Sequence, residues 1–466
     1  MHVDLKGLTV ATAADLIRER KLSPVELVSA SLSRIYDLNK KLNIYLTVMS
    51  ESALEAAHRA ELEIQQGGYR GPLHGIPMSV KDILYTRGVP TTAGEKRLSN
   101  FVPGYDATVV SRLKHAGAII VGKAHPLYGE FFPNPEYGFS LNPWNLDRLA
   151  GYSSDGPAAA VAVGTDLASI GSDGGGSIRF PAACCGVVGL KPTFGRVSRY
   201  GATVFGTPND YLGPLTRTSL DAALVLHSIA GYDPKDPFSA RVKVPRYADR
   251  LNGEIKGVRL GIPNELFWDY LDLEVETSVR QVIKLLEDLG CDVRDISFPT
   301  IGKIGDCHTL LSWAETSAFY QPQLTDWPKE YPDILMQRVE KGAKISAIDY
   351  IHAAEVRRCF IEELDQGLSE VDLLLTPTTI LPAPPIGQWD FRVGEKNWSI
   401  EDLASRMSRP FNLSGHPAIS VPCGFTEEGL PLAFQLVGPR FGEALILKVA
   451  DAYQRNTRWH LRRPCL

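Results

Sequence analysis

Short apolar runs alternate with helical stretches along most of this chain, and that alternation limits the fold it can adopt. Residues 76–80 and 118–121 are apolar runs next to Gly or Pro, and residues 107–115 between them have helical spacing. A second unit has a strand at 258–262, then an amphipathic helix, then a strand at 291–296. Such alternation is typical of α/β proteins, so we predict a β-sheet covered by helices.

Changes in this pattern divide the chain into four segments. Residues 1–70 are predicted to be helical and to pack on the core, since Ser23 can cap a helix that begins at Pro24. Residues 71–230 hold the first alternating set and a glycine-rich stretch. Residues 231–370 are predicted to form the βαβ unit and a helical cover, and residues 371–466 to complete the same α/β domain.

Composition and charge narrow the classes of partner. The 466 residues include 49 basic and 54 acidic side chains, a net charge of −5, without a Lys/Arg run of the kind that follows phosphates. We therefore expect a small-molecule substrate and no binding to nucleic acid or membrane. Charges throughout the first 21 residues and the absence of a long apolar run predict a cytoplasmic protein. The seven cysteines are odd in number and form no C-x-x-C pair, so we predict neither a disulfide framework nor a zinc site. We expect no metal and no cofactor.

The most unusual stretch is Gly171-Ser-Asp-Gly-Gly-Gly-Ser177-Ile-Arg179-Phe-Pro181, which follows an apolar strand at 167–170. Three consecutive glycines leave backbone N–H groups free to converge on a phosphate or on the oxyanion of an attacked carbonyl. A Walker-type phosphate loop would end in Gly-Lys-[Ser/Thr], whereas Gly176 is followed by Ser177 and Ile178. The loop alone leaves two interpretations open, acyl transfer by a serine nucleophile or a tight structural turn.

A nucleophilic serine needs a base, and none of the ten histidines lies in a supporting motif. Lys81 follows the apolar run 76–80, where burial would lower its pKa and keep the amine neutral. The alternative for Lys81 is an ion pair beside Asp82. The segment 151–157 contains Ser153, but it can also be explained as a helix start capped by Ser154 or Asp155.

Taken together, these segments resemble the amidase signature family in order and spacing over most of the chain. The resemblance implies a large mixed β-sheet surrounded by α-helices, with residues 71–230 as the signature core. It also implies Ser177 as nucleophile, Ser153 as bridging serine after a cis peptide bond, and Lys81 as base. Further implied are an oxyanion hole from the N–H groups of Gly174, Gly175, Gly176 and Ser177, and support of the loop by Asp173 and Arg179. The matching motifs are Gly75-Ile-Pro-Met-Ser-Val-Lys81-Asp82, Asn142-Pro-Trp-Asn-Leu-Asp-Arg148, the Ser153-Ser154 pair, 171–181, Gly189-Leu-Lys-Pro-Thr193 and Asn412-Leu-Ser-Gly-His-Pro-Ala-Ile-Ser-Val-Pro-Cys-Gly424.

The serine loop departs from the family's Gly-Gly-Ser-Ser-Gly-Gly-Ser at Tyr152, Asp155 and Pro157. Tyr152 lacks the steric freedom of glycine before the expected cis bond. We predict that the Tyr152-Ser153 bond is nevertheless cis and that the Tyr152 ring lines the acyl pocket. The alternative is a ring that packs outward and only shapes the loop.

Substrate specificity is less constrained by the sequence. Tyr128, Phe131, Phe132 and Tyr137 precede the serine loops and can form an apolar binding pocket or ordinary core. The glutamine-hydrolysing subunit of tRNA-dependent amidotransferases carries an acid a few positions before Asn-Leu-x-Gly, where this chain has Ser405-Arg-Met-Ser-Arg409. We therefore predict a stand-alone monomeric or homodimeric hydrolase of apolar or aromatic amides, with esters, anilides and carbamates (urethanes) as further substrates. The alternatives are a non-catalytic binding subunit of the same fold, a nucleotide-binding loop, and the glutamine-hydrolysing subunit.

Overall fold

Eleven β-strands join in one mixed sheet at the centre of the molecule, and two more form a separate antiparallel pair. The computed structural model describes residues 4–5, 7–127, 136–203, 210–324, 333–393 and 396–466. The strands in these ranges are β1 (Tyr45–Val48), β2 (Pro77–Lys81), β3 (Ile119–Ala124), β4 (Ala168–Ser172), β5 (Val188–Lys191), β6 (Leu212–Thr216), β7 (Arg259–Pro263), β8 (Asp292–Ile296), β9 (Leu373–Pro377), β10 (Asp390–Val393), β11 (Lys396–Ser399), β12 (Ala418–Phe425) and β13 (Pro431–Val437). Their order across the large sheet is β1-β3-β2-β4-β6-β5-β12-β13-β9-β7-β8.

Helices surround this sheet. Strands β2, β3, β4, β9 and β13 are buried along their whole length, as expected when helices cover both faces of a sheet. The predicted fold, a large mixed β-sheet surrounded by α-helices, is confirmed. The helices in the described ranges are α1 (Val10–Arg18), α2 (Pro24–Leu42), α3 (Ser50–Gln65), α4 (Thr108–His115), α5 (Asp155–Val163), α6 (Arg179–Cys185), α7 (Ser219–Ile229), α8 (Leu273–Asp288), α9 (Ile304–Leu324), α10 (Asp333–Ala343), α11 (Ala347–Glu370), α12 (Ile400–Ser405), α13 (Arg409–Leu413) and α14 (Glu443–Arg455).

All four sequence segments contribute strands to the large sheet. Strand β1 comes from residues 1–70, β2 to β6 from 71–230, β7 and β8 from 231–370, and β9, β12 and β13 from 371–466. The βαβ unit forms as predicted: β7 and β8 are parallel, and α8 between them buries Val275, Val279, Val282 and Leu286. The segments therefore share one sheet instead of folding as separate units.

The topology brings the predicted catalytic segments together at the carboxyl ends of two neighbouring strands inside the sheet. Strands β2 and β4 are parallel neighbours, so their carboxyl ends lie side by side. Lys81 is the last residue of β2, and the glycine-rich loop follows Ser172 at the end of β4. Helix α5 begins directly after the serine pair, at Asp155.

Within the described ranges, the chain has no helix with the length and apolarity needed to span a membrane. The same ranges contain no cluster of His, Cys, Asp or Glu placed to hold a metal ion.

Candidate active site

The amine of Lys81 lies among three serine hydroxyls. Its side chain is 1 % exposed, and Nζ is 2.6 Å from Ser153 Oγ, 2.9 Å from Ser172 Oγ and 3.3 Å from Ser154 Oγ. Burial lowers the pKa of Lys81 to about 8, although the nearby carboxylate of Asp210 opposes that shift. The amine can therefore be neutral at mildly alkaline pH, as a base requires.

The alternative ion pair of Lys81 with Asp82 does not form. Asp82 Oδ1 lies 2.9 Å from Nζ of Lys123, and both side chains are fully buried. Its other oxygen accepts hydrogen bonds from the backbone N–H and the hydroxyl of Thr92. Both oxygens of Asp82 therefore have other partners. The Lys81 amine contacts the three serine hydroxyls instead.

The bond between Tyr152 and Ser153 is trans, so the predicted cis bond is wrong; the described residues contain no cis peptide. The chain turns instead through Gly151 at φ +139° and Ser153 at φ +68°. Positive φ at a non-glycine residue is uncommon, and here it accompanies the approach of Ser153 Oγ to Lys81. The proposed capping of α5 is also absent, because Ser154 makes no side-chain cap and Asp155 accepts the N–H groups of Leu127 and Ser140.

Ser177 and Ser153 line the same cavity, of about 110 Å³, together with the three glycines. Ser177 is 9 % exposed and Ser153 is 8 % exposed. Within the described ranges, Ser177 Oγ forms no hydrogen bond, so it is available to a ligand in the cavity.

Asp173 holds the glycine-rich loop from inside. Its carboxylate accepts the N–H groups of Gly176 (2.7 Å) and Ile178 (3.2 Å) and pairs with the Arg179 guanidinium at 2.9 and 3.0 Å. Asn412 Nδ2 donates to the same carboxylate at 2.8 Å. Burial acts to raise the pKa of Asp173, but Arg179 and Asn412 together hold it well below its ordinary value. A fixed carboxylate inside the loop opposes the binding of phosphate there.

Gly176 differs from the expected oxyanion donor. Because its N–H already donates to Asp173, it does not point into the cavity. In the described part of the chain, the N–H groups of Gly174, Gly175 and Ser177 donate to no other group. Gly176 also has φ +123°, and a Cβ there would overlap Ser408 Oγ. A glycine is therefore required at position 176 for the shape of the loop.

Replacing Gly176 by Ala is expected to destabilise the fold by about 1–3 kcal/mol, because a side chain at this φ is strained and collides with Ser408. Gly175→Ala is the matched control, since its Cβ would meet its nearest neighbour at an ordinary 3.8 Å. Urea unfolding of the two variants measures the difference. Equal stability of the two would contradict this account of the loop.

The wall of the cavity away from the loop is charged, which the sequence analysis missed. Glu401 Oε2 pairs with Arg338 at 3.1 Å, and Glu401 Oε1 lies 3.5 Å from Arg409. These residues come from α10, α12 and α13, and no local motif marks them. The cavity is lined by Tyr152, Ser153, Ser172, Gly174, Gly175, Gly176, Ser177, Phe180, Asp210, His308, Ser312, Thr316, Arg338, Glu401, Ala404, Ser405 and Arg409.

Few of the predicted aromatic pocket residues are found at this cavity. Tyr152 lines it, and its hydroxyl hydrogen-bonds with Arg338. Tyr128, Phe131 and Phe132 lie outside the described residues, and Tyr137 is half-buried and does not line the cavity. Phe180, on α6, is an aromatic lining residue that the sequence analysis did not name.

Comparison with known proteins identifies the family to which the chain belongs. The family model "Amidase" matches residues 26–447. The chain is 40 % identical to a glutamyl-tRNA(Gln) amidotransferase subunit of Chloroflexus aurantiacus over 494 aligned positions, covering 99 % of each. It is similar to a solved structure described as a vestigial protein complex that reveals the origins of an s-triazine catabolic enzyme (TM-score 0.92, 28 % identity, 98 % and 100 % coverage). A bacterial aryl acylamidase of the amidase signature family is similar too (TM-score 0.88, 26 % identity, 97 % and 98 % coverage). The chain therefore belongs to the amidase family, the amidase signature hydrolases.

Proposed function

We propose that this chain hydrolyses the side-chain amide of glutamine, or a closely similar small polar amide, through an acyl-enzyme on Ser177. The charged wall of the cavity supports a polar substrate over the apolar amides, anilides and carbamates expected from the sequence. Relatives that are 38–40 % identical over the whole chain are subunits of glutamyl-tRNA(Gln) amidotransferase. The glutamine-hydrolysing alternative is thus better supported than the stand-alone hydrolase of apolar amides.

The observation that carries the chemistry is the 2.6 Å contact of Lys81 Nζ with Ser153 Oγ. Neutral Lys81 accepts the proton of Ser153 while Ser153 accepts the proton of Ser177, whose Oγ attacks the amide carbonyl carbon. The N–H groups of Gly174, Gly175 and Ser177 donate to the oxyanion that forms. Collapse of this intermediate breaks the C–N bond, and ammonia leaves with the proton returned by Ser153. Water then hydrolyses the acyl ester through the same relay.

One hydrogen bond of this relay, from Ser177 to Ser153, has to form when substrate enters. Both hydroxyls face the cavity, and Ser177 Oγ has no competing partner among the described residues. Catalytic hydrogen bonds are often long in the free enzyme and tighten in its complexes. The proposal requires the two hydroxyls to come within hydrogen-bond distance in the substrate complex.

Glu401 supplies an acid that residues 405–409 lack. The two residues are one helical turn apart on α12, where Ser405 Oγ donates to the Glu401 carbonyl, and both line the cavity. A glutamine α-ammonium can pair with the Glu401 carboxylate, and its α-carboxylate with the guanidinium groups of Arg338 and Arg409. The Glu401 side chain is 39 % exposed, against 18 % for Arg338 and 8 % for Arg409, so a ligand can reach its oxygens.

Glu401→Gln is expected to lower kcat/KM for glutamine by about tenfold or more, because a charge-assisted hydrogen bond to the α-ammonium is lost. Hydrolysis of glutaramate, which is glutamine without its amino group, should fall much less. Ammonia release from both amides, with neutral butyramide as a third substrate, measures the ratio.

Asp402→Asn is the matched control for this experiment. Asp402 also pairs with Arg409, at 3.1 Å, but it does not line the cavity, so the glutamine preference should stay within about threefold of wild type. A wild-type protein that hydrolyses glutaramate as well as glutamine would contradict the role of Glu401. Turnover of butyramide or an anilide ahead of both would contradict the polar substrate.

A non-catalytic subunit is distinguished by covalent labelling. A fluorophosphonate probe should label the wild-type protein if Ser177 is an activated nucleophile, and should not label an inactive scaffold. Light scattering on the same preparation tests the expectation of a monomer or homodimer.

A further inference from the structure

His308 faces the active-site cavity from α9 and has no part in the proton relay described above. Its side chain is 9 % exposed, and its Nε2 lies 3.2 Å from the carbonyl oxygen of Gly174. Its Cε1 is also the nearest atom to the position that a Cβ on Gly175 would occupy, at 3.8 Å. The imidazole is thus packed directly against the glycine-rich loop.

The chemistry of this contact fixes the direction of the hydrogen bond. A carbonyl oxygen can only accept, so Nε2 carries the hydrogen and donates it. Burial lowers the pKa of His308 to about 3, and the charge of Arg409 acts in the same direction. The ring is therefore a neutral donor at the pH values at which Lys81 can act as a base.

The hydrogen bond constrains one particular peptide plane. The Gly174 carbonyl and the Gly175 N–H belong to the same planar trans peptide, so holding the oxygen on one side directs the N–H to the opposite side. The next plane is held at both ends, since Ser408 Oγ donates to the Gly175 carbonyl at 2.6 Å and the Gly176 N–H donates to Asp173. The Gly176 N–H is therefore already used. The Gly175 N–H, in the plane held by His308, donates to no group in the described part of the chain.

We propose that His308 is a positioning residue for the oxyanion hole, which acts by aiming the Gly175 N–H at the oxygen of the tetrahedral intermediate. It exchanges no proton with substrate. Its effect is to keep one donor in the orientation that the transition state needs, so that no reorganisation is required during the reaction. This inference rests on the proposed acyl transfer at Ser177 but not on glutamine as the substrate.

Two substitutions at this position test the proposal. His308→Gln places an amide NH2 near the position of Nε2 and can still donate to Gly174, whereas His308→Phe keeps a ring and removes the donor. We expect His308→Phe to lower kcat by about 10- to 100-fold with KM within about threefold, a loss smaller than or comparable to that of a whole oxyanion donor. We expect His308→Gln to retain kcat within about fivefold of wild type.

The second-order rate of fluorophosphonate labelling is measured in parallel, since the phosphonyl oxygen uses the same donors whatever the natural amide is. The labelling rate should decrease in the order wild type, His308→Gln, His308→Phe, with melting temperatures recorded to show that each protein is folded.

An unchanged labelling rate in His308→Phe would overturn the proposal. So would a loss in His308→Gln as large as in His308→Phe, because a merely structural ring would give that result. If wild type is labelled but does not hydrolyse glutamine, only the proposed substrate fails, and the labelling order still judges His308.

Discussion

Replacing Ser177 by Ala is expected to reduce kcat for amide hydrolysis by on the order of 10⁴-fold or more, since without the hydroxyl no acyl-enzyme can form. The oxyanion donors and the substrate-binding wall remain in place, so substrate affinity should change little. Ammonia release under saturating substrate gives the comparison directly.

The control for this variant removes a hydroxyl of the same size from a buried serine elsewhere. Ser169 lies on β4, hydrogen-bonds with Ser79 and does not line the cavity, so Ser169→Ala should keep most of the activity. Activity retained in Ser177→Ala would mean that another group is the nucleophile and would contradict the proposed reaction.

The second large effect is expected at Lys81. Lys81→Met keeps the aliphatic stem but removes the base, so kcat should fall by on the order of 10³-fold or more. The wild-type pH profile tests the same group without mutation. Only the neutral amine accepts a proton, and the pKa of Lys81 is about 8, so kcat/KM should fall about tenfold for each pH unit below that value.

Glutaramate is the suitable substrate for this profile, because none of its groups titrates between pH 6 and 9 and the change in rate then belongs to the enzyme. A plateau should appear above about pH 8. A flat profile down to pH 6 would exclude a lysine base with this pKa. If the residual kcat/KM of Lys81→Met keeps the same pH dependence, the titrating group is not Lys81.

Much of the fold could be predicted because its signals are local. The βαβ unit around α8 follows from valines and leucines at helical spacing between two short apolar runs. The capping box at Ser23 likewise depends on residues within one turn of each other. The strand order was not accessible in this way, because it depends on contacts such as β5 with β12, which join Lys191 to Ala418 across nearly half of the chain.

The candidate serines and lysine could also be named from the sequence, since each belongs to a short contiguous motif. The charged wall of the cavity could not be predicted, because Arg338 and Glu401 meet only after α10 and α12 have packed together. The direction of the Gly176 N–H could not be read either, since it depends on whether the Asp173 carboxylate turns into the loop. Backbone orientation and long-range side-chain contacts leave no periodic pattern in the sequence.

The measurement that tests the central claim most directly is peptide mapping by mass spectrometry after reaction with a fluorophosphonate probe. The account predicts a single adduct on Ser177, formed about 25-fold faster at pH 8.5 than at pH 6.5 because only the neutral Lys81 amine, with a pKa of about 8, acts as base, and formed far more slowly in Lys81→Met. An adduct on Ser153 or Ser154, or no adduct in a folded protein, would contradict the claim that Ser177 is a nucleophile activated by Lys81.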